Sequence, residues 1–124
     1  MKERFVRGNF ALGVLLGFIA HIVLSSWLPM VGDLIAGFIA GYIASGSAGR
    51  GALAGFLSGI LGGLLLAIMI PIILSMLAPY IPFLSSFTSL ISLGLAILII
   101  IFSLKGALMG AIGGAIGGII SSRR

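Results

Sequence analysis

Two stretches of the chain, 50–67 and 105–122, carry small residues at every fourth position. The first row is Gly51, Gly55, Gly59 and Gly63, and the second row is Gly106, Gly110, Gly114 and Gly118. On an α-helix this spacing puts the residues on one face, and the missing side chains let a second helix approach backbone to backbone. The rows therefore predict glycine-zipper helix packing.

The composition indicates which solvent surrounds these helices. Of 124 residues, 60% are hydrophobic and 7% are charged, whereas roughly 25% are charged in an average soluble domain. Such a chain has too little polar surface to coat a water-soluble globule, but its apolar runs match the roughly 20 helical residues that cross a hydrocarbon core of about 30 Å. We therefore expect an all-α fold, a polytopic transmembrane helical bundle, with the lipid bilayer as its main partner.

Turn residues divide the chain into apolar segments. They predict a single transmembrane domain, 1–124, with helices at approximately 9–28, 31–45, 51–78 and 86–104. The glycine-rich segment 106–121 is interfacial, a continuation of helix four, or a fifth span. Its similarity to 51–65 at an offset of 55 positions favours the fifth span if the two arose by duplication, and chance matching of simple sequence explains it equally well.

The basic residues predict an orientation. Three of them precede the first apolar run, and Arg50 and Lys105 follow at turns between segments. Because positive charge favours the cytoplasmic side, we expect a multi-pass cell-membrane protein with a cytoplasmic N-terminus. Four crossings leave both termini inside, whereas a fifth crossing would put Arg123 and Arg124 outside. The basic residues are few and lie at segment ends, so the net charge of +5 indicates no nucleic-acid partner.

Further small residues extend the predicted packing faces. Gly13 and Gly17 share a face of the first helix, and Gly37 and Gly41 share a face of the second. Short loops favour partners within the chain for the row 51–67. The row 106–118 lies at the chain end with fewer partners left, so it is the candidate for oligomer contacts.

Groups that could carry chemistry are few: one histidine, two acidic residues and no cysteine. We predict no catalytic residue, no cofactor and no metal site, and we interpret Ser58 as a packing residue. His21 and Asp33 are ionisable and lie within apolar segments, within about one helical turn in depth, so they are a possible intramembrane polar pair. Two interpretations stay open: Asp33 caps the short helix while His21 makes one interhelical hydrogen bond, or the pair relays protons or cations.

One stretch resembles a known group of proteins. It consists of Gly32 to Ala44, a Gly/Ser turn, and Gly51-Ala52-Leu53-Ala54-Gly55 with Gly59, Gly62 and Gly63. It is similar to small prokaryotic, mainly archaeal, glycine-rich membrane proteins of unknown function, and the similarity extends over residues 10–120. The resemblance implies a four-helix integral membrane protein with an AGY, turn, GAxxG hairpin, and it implies no activity.

Two function classes follow. The first is a non-enzymatic small integral membrane protein, a structural or accessory subunit that associates with itself or another membrane protein through glycine-zipper faces. The alternative is a small channel, holin-like pore or transporter subunit with His21, Asp33 and Lys105 along its path. No segment has the continuous polar face that a wet pore needs, which disfavours the channel.

Overall fold

The computed structural model describes residues 2–44 and 46–123, and it describes side chains from Phe10 onward. Four α-helices make up almost all of this part, and no strand occurs in it, so the all-α prediction is confirmed. The helices are α1 (Lys2–Ser25), α2 (Pro29–Ala44), α3 (Ala48–Leu77) and α4 (Pro82–Ser122), with a short 3-10 turn at Ala78–Tyr80. Ser45, the predicted last residue of the second helix, lies outside the described residues.

Local chemistry accounts for helix ends that differ from the predicted ones. α2 begins at Pro29 rather than residue 31. The backbone N–H groups of a first helical turn have no partner within the helix, so proline, which has no N–H, is well suited to this position. α3 begins at Ala48 rather than residue 51, and Ser47 caps it by accepting a hydrogen bond from the Arg50 backbone N–H at 3.2 Å. Just before this cap, Gly46 has a φ of +116°, a left-handed conformation that glycine adopts without strain.

The first helix is also shifted from its expected bounds. It begins at Lys2 rather than residue 9, and it ends at Ser25 rather than residue 28. The backbone N–H groups of Trp27 and Leu28 both bond to the carbonyl oxygen of Leu24, which forms the tight turn into α2.

The glycine-rich segment 106–121 continues the fourth helix. α4 runs for 41 residues without a break at Lys105, so at 1.5 Å per residue it is about 60 Å long. Lys105 is exposed and lies within the helix, not at its end.

The four helices form two antiparallel hairpins of unequal length. α3 and α4 make the long hairpin, and α1 and α2 make a short one that packs against part of it, with α2 contacting both long helices and α1 contacting α2 and α3. The buried residues of α3 all lie between Gly51 and Gly59, and those of α4 lie between Gly106 and Gly118. We call α1, α2, 48–63 and 103–122 the glycine-packed half, and 64–77 with 82–102 the apolar half.

Small residues are inside and large apolar residues are outside. The buried hydrophobic residues in the described part are all alanines, namely Ala36, Ala40, Ala44, Ala54 and Ala107. Many leucine and isoleucine side chains are about half exposed, for example Leu15 at 58% and Ile101 at 59%. The segments Ala48–Tyr80 and Pro82–Ser122 are long and apolar enough to cross a membrane, and this composition of the surface suits lipid.

Candidate functional site

The glycines of α3 and α4 face one another in antiparallel register. A Cβ atom added to Gly51 would collide with the carbonyl oxygen of Gly114, and one added to Gly55 would collide with the carbonyl oxygen of Gly110. At Gly59 the added atom would lie 2.7 Å from the Cα atom of Ala107. Backbone therefore touches backbone along this part of the hairpin, and any larger residue would force the helices apart.

The second glycine row also contacts α2. A Cβ atom on Gly37 would collide with Gly110, and one on Gly41 would collide with Gly114. Gly110 and Gly114 thus lie where three helices meet. The row that was expected at an oligomer interface is covered by α2 and α3 of the same chain, because the uninterrupted α4 brings it back between them.

Helix α1 uses its two predicted glycines against α2 and α3. A Cβ atom on Gly13 would lie 2.6 Å from the carbonyl oxygen of Ala40, and one on Gly17 would collide with the Ala40 side chain and lie 3.2 Å from the Cβ atom of Ser58. Ser58 is fully buried, and its hydroxyl donates to the carbonyl oxygen of Gly55 at 2.8 Å. The Ser58 hydroxyl is therefore satisfied by its own helix, as the packing interpretation requires.

His21 and Asp33 are brought into contact by the α1–α2 hairpin. The Nε2 atom of His21 lies 2.8 Å from the Oδ1 atom of Asp33, and the Ser25 hydroxyl donates to the same carboxylate oxygen at 2.5 Å. Ser25 follows His21 by one helical turn, so both donors are on the face of α1 that meets α2. The spacing of four between His21 and Ser25 is the sequence signal that could have identified this second donor.

The hydrogen bonds of Asp33 replace the capping role considered for it. α2 begins at Pro29 and has no acidic residue in its first turn, so Asp33 lies in the second turn. Its carboxylate is directed to α1 instead of the helix start. The capping interpretation is therefore wrong, and the polar contact is between helices.

The glycine Gly106 makes room for this carboxylate. A Cβ atom on Gly106 would lie 3.1 Å from the Oδ2 atom of Asp33 and 3.5 Å from the Nε2 atom of His21. The second row therefore has two roles. Gly110 and Gly114 allow α2 and α3 to approach α4 closely, and Gly106 leaves space for the His21–Asp33 pair.

His21 is 92% buried, with a relative exposure of 8%, and its second ring nitrogen is unpartnered. Its Nδ1 atom is buried with no hydrogen-bond partner among the described residues. A buried polar atom without a partner is uncommon in folded proteins and calls for an explanation.

A cavity of about 820 Å³ opens beside the pair, between the end of α1 and the middle of the long hairpin. Its polar lining includes His21, Ser25, Asp33 and Ser103, and most of its wall is aliphatic or aromatic, including Leu66, Leu98 and Phe102. Lys105, predicted to share a path with His21 and Asp33, is exposed and does not line this cavity. We call this space the lateral cleft.

The contribution of α3 and α4 to the lateral cleft was not predicted. Gly62 lies on its wall, and a Cβ atom added there would meet no atom within 4 Å. Gly62 lies outside the four-residue row, but no sequence pattern predicts the space in front of it, because that space depends on where α1 ends.

Metal ligation has no support in the part of the chain that the structure describes, since no three histidine, cysteine or acidic side chains come together there.

Searches of curated proteins and of solved structures find no match to this chain. A match over residues 9–120 nevertheless assigns the family, and the four helices agree with the small helical protein that the resemblance implied. The chain belongs to DUF5518, a family of unknown function.

Proposed function

We propose that this chain is a non-enzymatic, multi-pass integral membrane protein, held together by glycine-zipper packing, that serves as a structural or accessory membrane subunit. The observation that carries the proposal is the inverted distribution of side chains: alanine and glycine are buried, and leucine and isoleucine are exposed. In lipid no hydrophobic effect drives helices together, so close backbone contact supplies the attraction.

In this proposal the glycine faces stabilise the fold of the single chain. Gly55 and Gly110 contact each other, as do Gly51 and Gly114, so these faces are occupied. Association with a second membrane protein then uses the apolar half, whose side chains are exposed.

The positions of the charges support a cytoplasmic N-terminus. The Arg50 guanidinium lies 5.4 Å from the ring centroid of Phe10 on α1. Gly118, near the end of α4, is close to Ser47 and Gly51. Arg50 and the helix end preceding Arg123 are therefore at one end of the bundle, which agrees with both termini on the positive, cytoplasmic side.

The helices of the long hairpin are longer than a hydrocarbon core of about 30 Å. The 30 residues of α3 extend about 45 Å at 1.5 Å per residue, which matches the roughly 40–45 Å of a bilayer with its headgroup regions. The 41 residues of α4 extend about 60 Å, so part of α4 lies outside the bilayer in this proposal.

A second candidate is a transporter subunit that uses the His21–Asp33 pair. It is favoured by an ionisable pair placed in an apolar cleft, because such groups are costly in lipid and often functional. Proteoliposomes would test it. A proton or cation flux that His21→Ala and Asp33→Asn abolish would establish this function, and a flux equal to that of empty liposomes would rule it out.

Cysteine labelling tests the main proposal, and the chain has no native cysteine to interfere. Single cysteines at Ser47, Ser85 and Ser122 would be treated with an impermeant thiol reagent in intact cells and in inverted vesicles. We expect Ser85→Cys to react in cells, and Ser47→Cys and Ser122→Cys to react in inverted vesicles.

Two results would contradict the proposal. Reaction of the Ser47 and Ser122 variants from opposite sides would refute the four-crossing arrangement. Recovery of the wild-type protein as a monodisperse species without detergent would refute membrane insertion itself.

A further inference from the structure

We propose that the lateral cleft binds a lipophilic cation, an apolar molecule with one delocalised positive charge. The proposal rests on membrane insertion, and it gives a ligand class to the site of the second candidate function. It requires that the cleft be large, apolar and negatively charged at one place.

The size and walls of the cleft suit an apolar molecule. Its volume of about 820 Å³ lies within the range of roughly 300–1,000 Å³ that is typical of small-molecule sites. Leu66, Leu98 and Ile99 provide aliphatic wall, and Phe102 adds an aromatic ring. Aromatic faces attract cations, and the attraction increases where water is excluded.

One carboxylate oxygen is left without a partner at the polar end. The Oδ1 atom of Asp33 accepts from Ser25 and His21, whereas Oδ2 has no hydrogen bond to any described residue. Oδ2 faces Gly106, where a Cβ atom would lie only 3.1 Å from it, so the missing side chain leaves room beside this oxygen. An oxygen in this position can pair with a positive charge that enters the cleft.

Apart from His21, no positively charged side chain lies beside the Asp33 carboxylate. His21 contacts Oδ1 through Nε2, and its buried Nδ1 atom has no partner among the described residues. α3 has no charged residue from Gly51 onward, and Lys105 on α4 is exposed and outside the cleft wall. A cation therefore gains an ion pair here, and an anion would be repelled.

A lipid acyl chain is the rival occupant. It would fill the aliphatic wall equally well, but it would leave the Oδ2 atom of Asp33 without a partner in an apolar space, which is costly. Charge on the ligand therefore distinguishes the two occupants.

Gly62 offers a way to close the cleft without disturbing the packing. A Cβ atom at Gly62 has no neighbour within 4 Å, and the same holds for Gly94, which does not line the cleft. Gly62→Leu therefore fills the cleft, and Gly94→Leu is its matched control, since both replace a helical glycine facing open space.

The experiment measures binding of tetraphenylphosphonium to the full chain in detergent micelles and nanodiscs. We expect saturable binding that Asp33→Asn and Gly62→Leu each weaken about tenfold or more, and that Gly94→Leu leaves unchanged. Tetraphenylmethane, an uncharged analogue of similar shape, should bind with an affinity at least about tenfold lower.

Several outcomes would overturn the inference. Absence of saturable binding, equal binding by Asp33→Asn, equal loss in Gly94→Leu, or equal binding of the uncharged analogue would each refute it, the last indicating an acyl-chain site. Failure of this inference can be distinguished from failure of the proposed function. The labelling of the cysteine variants and the detergent requirement of the wild-type protein are both measured without any ligand.

Discussion

The two long helices, α3 and α4, run through both the glycine-packed half and the apolar half. The residues that lie between these two helices differ from one half to the other. Along Gly51–Gly59 and Gly106–Gly118 the helices touch through backbone atoms, with alanine and serine as the other buried side chains. Along 64–77 and 82–102 no residue is buried. None of these four stretches carries a charged residue, so charge does not distinguish them. Side-chain volume and its periodicity decide which part of the hairpin packs against other helices.

Two glycines outside the periodic rows make the same point. Gly62 and Gly94 face open space, although they lie in the same helices as the packing glycines. Glycine content alone is therefore no signal of helix contact. The four-residue repeat is the signal, because it keeps the small positions on one face over several turns.

The largest effect is expected where the backbones touch. Gly55→Leu places a side chain against the Gly110 carbonyl oxygen, a backbone atom that cannot move aside, so the free energy of unfolding should fall by about 3 kcal/mol or more. Gly94→Leu should not lower it, because Gly94 faces open space and leucine is the better helix former. Thermal unfolding in detergent would measure both. Equal losses in the two variants would mean that the halves do not differ in packing.

An intermediate effect is expected at the polar contact between α1 and α2. A double-mutant cycle with His21→Ala and Asp33→Ala should give a coupling energy of about 1 kcal/mol, since interhelical hydrogen bonds in lipid are individually modest. The cycle would be measured from unfolding in detergent of the wild type, both single variants and the double variant. Strictly additive losses would show that the 2.8 Å contact contributes no stability.

The smallest effect is expected in the apolar half. Ile97 is 52% exposed, so Ile97→Ala should lower the free energy of unfolding by no more than about 0.5 kcal/mol. The same substitution in a packed core costs about 2–5 kcal/mol. A loss in the larger range, measured in nanodiscs, would indicate that another chain covers this half in the membrane.

Part of the candidate site could be predicted from the sequence. His21 and Asp33 both lie a short distance from the same turn, which predicted that they are close together. No pattern identified the start of α2 at Pro29, so a capping role for Asp33 stayed open until the structure excluded it. The contribution of Ser103 and Gly62 to the cleft depends on the register between hairpins, which no local pattern specifies.

The sequence by itself determined that the chain forms apolar helices and which helix faces are small, because both properties follow from residue type and a spacing of four. Only the tertiary structure decided what those faces contact. The second glycine row was expected at the surface of an oligomer, and it lies between α2 and α3 because α4 continues through Lys105 without a break. Helix partners depend on contacts between residues far apart in the chain, and glycine faces, which carry no side chains, hold little information about which partner they will meet.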